Sequence, residues 1–255
     1  MFELTNITRN SNMAAAIIFS ALLVSSPALA VHKEDQQKPQ TPAESIAEYN
    51  RDRKALLKQV EATPNQEGPH YKLARIYYKL GGLSQSEAAK ENNFNHCMTH
   101  STRAVEINHK SALGYFYRGL CRGKRGKVKG IFKSLETLTP FKNDMETALK
   151  LDPNISHGGP NRALGKMYNQ LPFFLGGSNK KSIYHLKEAV KIAPEYWENH
   201  LFLGEVYYDN SDYNQSMDSL RHVLKITEAD KNDPKTAKNR QKAEDLIKKI
   251  DKKMN

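Results

Sequence analysis

Residues 197–226 read WENHLFLGEVYYDNSDYNQSMDSLRHVLKI, with the spacing of two helices folded into a hairpin. Counted from Trp197, the pattern residues Leu203, Gly204, Tyr207, Ser216, Leu220 and Val223 fall at positions 7, 8, 11, 20, 24 and 27. Leu203 and Tyr207 are four apart and share one face of a first helix. Gly204 between them lets a second helix come close to the first helix's backbone. Ser216, Leu220 and Val223 form the stripe of that second helix which closes the hairpin. The stretch before it repeats the arrangement with Leu164, Gly165, Tyr168, Ser182, Leu186 and Ala189, ended by Pro194.

This is the tetratricopeptide (TPR) pattern. Its small eighth position recurs at Ala74, Gly119, Gly165 and Gly204, spaced 45, 46 and 39 residues apart. An uninterrupted array has a period of ~34. The spacing predicts repeats at about 67–110, 111–154, 158–196 and 197–230. The excess length falls at Gly81-Gly82-Leu83, at Lys124–Thr139 and in the apolar turn Pro172–Gly177. The second repeat is the least regular, with Arg122 where Tyr is usual. A helix over Glu44–Ala62 precedes the array. A basic helix over Lys235–Lys253 follows, with Leu246, Ile247 and Ile250 inward, capping an apolar face that would otherwise stay exposed. The expected fold is therefore an all-α, TPR-like helical-hairpin solenoid over residues 44–255, with inter-helix insertions and flanking helices.

The chain of 255 residues carries 39 basic and 28 acidic side chains, a net charge of +11. A hydrophobic content of 38% suits a thin helical array that exposes two faces. Ala14–Val24 is an apolar run too short to span a bilayer, followed by a small-x-small site ending at Ala30. It reads as a signal peptide, residues 1–30, cleaved after Ala30. Val31–Ala43 reads as a disordered leader, and the mature protein is expected in the periplasm without a stable membrane anchor. Export removes the chain from nucleic acid, and the basic clusters Lys124–Lys129 and Lys248–Lys253 lack interleaved aromatics. They suit an anionic surface, an acidic partner protein or plain solvation.

No catalytic motif is present, so no enzyme activity and no cofactor are expected. GKRGKVKG (Gly123–Gly130) has the wrong spacing for a phosphate loop and reads as a solvated basic loop between helices. His96 and His100 share a helix face, but a structural metal site needs four ligands and no further pair stands at suitable spacing. Cys97 and Cys121 lie equally far from a turn near His109. In an antiparallel helix pair that puts them at one height, suited to a disulfide, with two buried free thiols the alternative.

TPR arrays usually bind on the concave face formed by their first helices. Positions 2, 5, 9, 12 and 13 of those helices give the candidate groove: Tyr71, Arg75, Tyr78 and Lys79; Phe116 and Leu120; Arg162, Lys166, Asn169 and Gln170; Leu201, Glu205 and Tyr208. Cations beside aromatic area suit an extended peptide or an amphiphilic carboxylate. Tyr71, Phe116 and Leu201 equally suit packing within the array. Phe173-Phe174-Leu175 either covers apolar ligand surface beside Tyr208 or tucks into its own hairpin.

Within Gly114–Leu224 the chain resembles a known family, the T component of TRAP transporters. The likeness rests on Ile131–Leu135 (IFKSL), Glu146–Pro153 (ETALKLDP), His157–Gly165 (HGGPNRALG), Pro172–Gly177 (PFFLGG) and Asn199–Leu203 (NHLFL). It implies an extracytoplasmic TPR protein that accompanies a solute-binding protein serving a membrane permease. The family often carries a lipid-attachment Cys, which this sequence lacks near Ala30. The resemblance makes an accessory role in solute uptake the leading expectation, with an extracytoplasmic partner protein or a small amphiphilic solute as ligand. A general periplasmic protein–protein scaffold is the alternative, and self-association into a homo-oligomer stays open.

Overall fold

Helix α1, Pro42–Ala62, starts at a capping box. The Glu44 N–H donates to Thr41 Oγ1 (3.2 Å) and the Thr41 N–H to Glu44 Oε2 (2.7 Å). Residues 41–43, expected in the leader, thus belong to the helix start. In this computed structural model the described residues are 41–254, side chains of 131–133 and 234–235 excepted; the signal peptide and the rest of the leader lie outside them.

Four hairpins follow, and no strand occurs among the described residues. They pair α2 (Glu67–Leu83) with α3 (Glu87–Ile107), and α4 (Ala112–Val128) with α6 (Leu138–Leu151), the short α5 (Ile131–Glu136) lying between. Then α7 (Ile155–Gln170) pairs with α8 (Asn179–Ile192), and α9 (Trp197–Asp209) with α10 (Tyr213–Ile226). Helix α11, Pro234–Met254, closes the array, with Ala243 and Ile250 buried against Leu201, Leu220 and Val223.

The eighth-position residues do what the pattern requires. A Cβ on Gly165 would lie 2.6 Å from Leu186 Cγ, and one on Gly204 would lie 2.9 Å from Leu220. At Gly119 it would strike Met145, and Ala74 is fully buried. Ser182 and Ser216 add a contact that the pattern does not spell out. Their hydroxyls donate to the carbonyls of Gly165 (2.8 Å) and Gly204 (2.7 Å), pinning the two helices where they approach closest.

Two of the expected insertions are not loops. Gly81 and Gly82 lie inside α2, and Gly81 lets the Phe94 ring of α3 pack on the helix backbone. Gly123–Val128 continues α4 as helix, with Gly126 under Thr137 and Gly123 against Phe141, so the basic stretch is a helix end. Only Lys129 and Gly130 connect it to α5. Arg122, in the place of the usual Tyr, reaches the buried Asp144 of α6 (2.5 Å) and the Pro140 carbonyl (3.1 Å), and Arg118 joins it on Asp144 (2.6 Å). An ion-pair cluster thus replaces an aromatic contact.

First helices touch first helices: α2 meets α4, α4 meets α7, α7 meets α9, and α9 meets α11. The second helices α3, α6, α8 and α10 do not touch one another. First helices are therefore the more closely spaced, and they line the concave face.

Candidate functional site

The start of α7 shapes that face. Ser156, His157 and Gly158 take left-handed conformations, with φ of 49°, 56° and 74°. Such φ values strain the two non-glycine residues, so surrounding contacts must hold them. Arg162 does so. Its Nη2 donates to the Ser156 carbonyl (3.2 Å) and its Nη1 to the His157 carbonyl (3.1 Å) and Asn199 Oδ1 (2.9 Å). The guanidinium also lies over the Tyr196 ring (4.8 Å) and beside Glu198 (3.6 Å). Asn199, fully buried, donates through Nδ2 to the carbonyls of Ala189 (2.8 Å) and His157 (3.1 Å). Arg162, expected as a ligand-binding cation of the groove, is a clamp inside the fold.

Lys166, one turn on, is placed differently. It is half-buried, and its ammonium lies 3.5 Å from the centre of the Phe202 ring with no hydrogen-bond or ion-pair partner among the described residues. Burial pulls its pKa down to about 8; Glu205 opposes this most, then Glu198, while Lys242 and Lys124 add to it. Lys242 of α11 pairs with Glu205. Across the groove, burial and the charge of Glu198 raise the Tyr78 hydroxyl pKa, with Arg162 opposing. The face thus brings a desolvated cation, an aromatic ring and two carboxylates together within the curve of the array.

The other expected groove residues divide. Tyr71 and Arg75 are half-buried on α2. Phe116 and Leu201 are corrected to core: Phe116 is 4% exposed and packs against Gly159, and Leu201 is 1% exposed beneath α10 and α11. Asn169 donates to Asp209 (2.9 Å), and Tyr208 packs beside Tyr213 with the Lys253 ammonium over both rings. The Phe173–Leu175 turn, a single 3-10 turn, does not tuck into its hairpin. Sequence reasoning passed over Glu198 and Phe202, although Glu198, Phe202 and Glu205 form an i, i+4, i+7 stripe along α9.

Cys97 and Cys121 form a disulfide between α3 and α4, with Cα atoms 6.1 Å apart. Tyr77 stacks on both His96 and His100, and His100 Nδ1 faces His70 Nδ1 at 3.2 Å. No group of three potential ligands occurs among the described residues.

Fold and repeat contacts define a TPR-like helical-repeat protein. Residues 129–253 match the sequence model described as TRAP transporter T-component, so the resemblance to that family holds over α5 to α11, the part that supplies Arg162, Lys166 and Glu205. Residues 41–157 match a second model, described as regulator of microtubule dynamics protein 1-3. No curated protein matches the sequence. Among solved structures, TTC0263, a thermophilic TPR protein of Thermus thermophilus, aligns with a TM-score of 0.59 at 16% identity, over 80% of this chain and 93% of its own. YrrB, described as a TPR protein with an unusual peptide-binding site, aligns at 0.46 and 16% identity, over 75% and 92%.

Proposed function

We propose that this chain is an exported, non-enzymatic binding module and an accessory component of solute uptake, akin to the TRAP T component. It holds the carboxylate of an amphiphilic solute, or of a peptide segment of an extracytoplasmic partner, against Lys166. The observation that carries this reading is the Lys166 ammonium, desolvated over Phe202 without an ion-pair partner among the described residues. A buried cation gains most from an anion that arrives with its own apolar body to cover the site. The match of residues 129–253 to a transporter-component family supports a role in uptake, and no helix among the described residues is long and apolar enough to cross a membrane. A second reading is a periplasmic protein–protein scaffold without a small ligand.

The test titrates the protein and its Lys166→Met variant with octanoate, decanoate and dodecanoate, with the matched amides, and with an amphiphilic peptide as free acid and as amide. Wild type is expected to prefer carboxylate over amide at least tenfold, about 1.4 kcal/mol, and the variant to lose that preference. Below a pKa of about 8 Lys166 is a cation, so the preference is present at neutral pH and fades as pH rises through that value. Equal binding of acid and amide by both proteins refutes the site. Preference for the peptide acid alone selects the scaffold reading.

A further inference from the structure

Phe173 and Phe174 are 92% and 82% exposed at the tip of the α7–α8 hairpin, and the backbone holds them there. The Gly176 N–H donates to the Phe173 carbonyl (2.9 Å), the Gly177 N–H to Pro172 (3.0 Å) and the Ser178 N–H to Tyr168 (2.9 Å). Gly176 sits at φ +91°, and a Cβ on Gly177 would run into the Leu171 carbonyl, so the turn needs both glycines. A turn tied this way presents its rings already ordered, which lowers the entropy lost on docking.

Cations flank the rings. Lys180 and Lys181 are exposed in the first turn of α8, the positive end of the helix dipole, where acids are the favoured charge. The Lys181 ammonium lies over the Tyr168 ring (5.2 Å), and among the described residues the fold gives Lys180 no contact of that kind. Lys127 donates to Gln170 (3.3 Å) and so brings the basic end of α4 to the foot of the same hairpin. The acids at this end, Asp209 and Asp212, belong to the α9–α10 turn, which meets the hairpin where Asn169 donates to Asp209 (2.9 Å) and Asn179 to Asn210 (3.0 Å).

We infer that this tip is a reversible membrane-contact site: Phe173 and Phe174 enter the headgroup–acyl boundary of an anionic bilayer while Lys127, Lys180 and Lys181 lie against lipid phosphates. A projecting pair of rings with cations behind it matches the layering of a bilayer interface, with apolar groups inside and phosphates outside. An acidic protein would meet the lysines but would need its own pocket for a two-ring wedge. Contact of this kind would hold the groove near a membrane without a spanning helix.

The test uses the full 255-residue chain and sedimentation with phosphatidylcholine vesicles, with and without about one third phosphatidylglycerol. The variants are Phe173→Ser with Phe174→Ser, and Lys180→Glu with Lys181→Glu. Residues 1–40 are common to all, so their contribution cancels in the comparison. Wild type is expected to bind the anionic vesicles, less so as salt rises, and each double variant to bind at least tenfold more weakly. All are expected to melt alike, because the altered side chains are exposed. The single variant Phe174→Trp, read against the background of Trp197, is expected to be quenched by lipids brominated on the acyl chain. Double variants that bind like wild type overturn the proposal. So does a vesicle-bound Phe174→Trp variant that is not quenched, or a soluble acidic protein that protects the tip where vesicles do not.

Discussion

At the scale of single residues, position in the hairpin decides the role more than side-chain type does. The fifth position of the first helices holds Tyr71, Phe116, Arg162 and Leu201. Phe116 and Leu201 are core, and Arg162 is locked onto backbone carbonyls, because this position faces the neighbouring hairpin. Lys166 and Glu205, at the ninth, reach the groove instead. That division was not legible in the sequence: both positions lie on one side of the helix, and only the packing of successive hairpins separates them. Arg162→Ala removes the donor to the Ser156 carbonyl and to Asn199 Oδ1, and leaves the His157 carbonyl with Asn199 alone. It is expected to cost about 2–4 kcal/mol in urea melts, whereas Lys166→Met removes a poorly solvated charge and is expected to leave stability nearly unchanged. Similar losses in both variants would show that Arg162 is not a clamp. His100 supplies a pH test. Burial, then His70 and His96, lower its pKa from 6.5 to about 4. The unfolded chain therefore takes up a proton that the folded chain refuses, and stability falls as pH drops from about 6.5 toward 4. The loss is of order 1 kcal/mol once its partial exposure is allowed for. His100→Phe, which keeps a ring against Tyr77, is expected to flatten that slope in urea melts taken across the range.

At the scale of elements, the pattern of apolar and small residues located the four hairpins, because the contacts that make a hairpin are local. It misjudged the glycines. Gly81-Gly82 and GKRGKVKG carry low helix propensity and read as turns, but Phe94 over Gly81 and Thr137 over Gly126 need a bare backbone beneath them, and that tertiary packing prevails. The kink at Ser156–Gly158 was also hidden, since its three left-handed residues are held by Arg162 and Asn199 from elsewhere. The equal heights of Cys97 and Cys121 were legible, being a count along two helices about one turn. Their disulfide joins the first and second hairpins and closes 24 residues, worth roughly 3 kcal/mol by the chain-entropy account. Reduction, or Cys97→Ser with Cys121→Ser, is expected to lower the melting temperature by roughly 6–12 °C. No change on reduction would mean that the two helices are fully held by packing.

At the scale of the whole molecule, the array behaves as a row of units, each leaning on its neighbours, with α11 covering the last apolar face. The order of hairpins could be read from the chain, whereas the line-up of Tyr78, Lys166 and Glu198 across three hairpins could not, since it depends on how tightly the first helices close on one another. The disulfide has a further consequence for such a row, one of length. If the molecule is pulled between its ends, each hairpin that lets go releases its residues into extended chain. The 24-residue span from Cys97 to Cys121 is withheld. At about 3.4 Å per residue the oxidised chain stretches roughly 80 Å less than the reduced one. A partner tugging on the array would thus meet a tether whose reach is set by the redox state of a single bond.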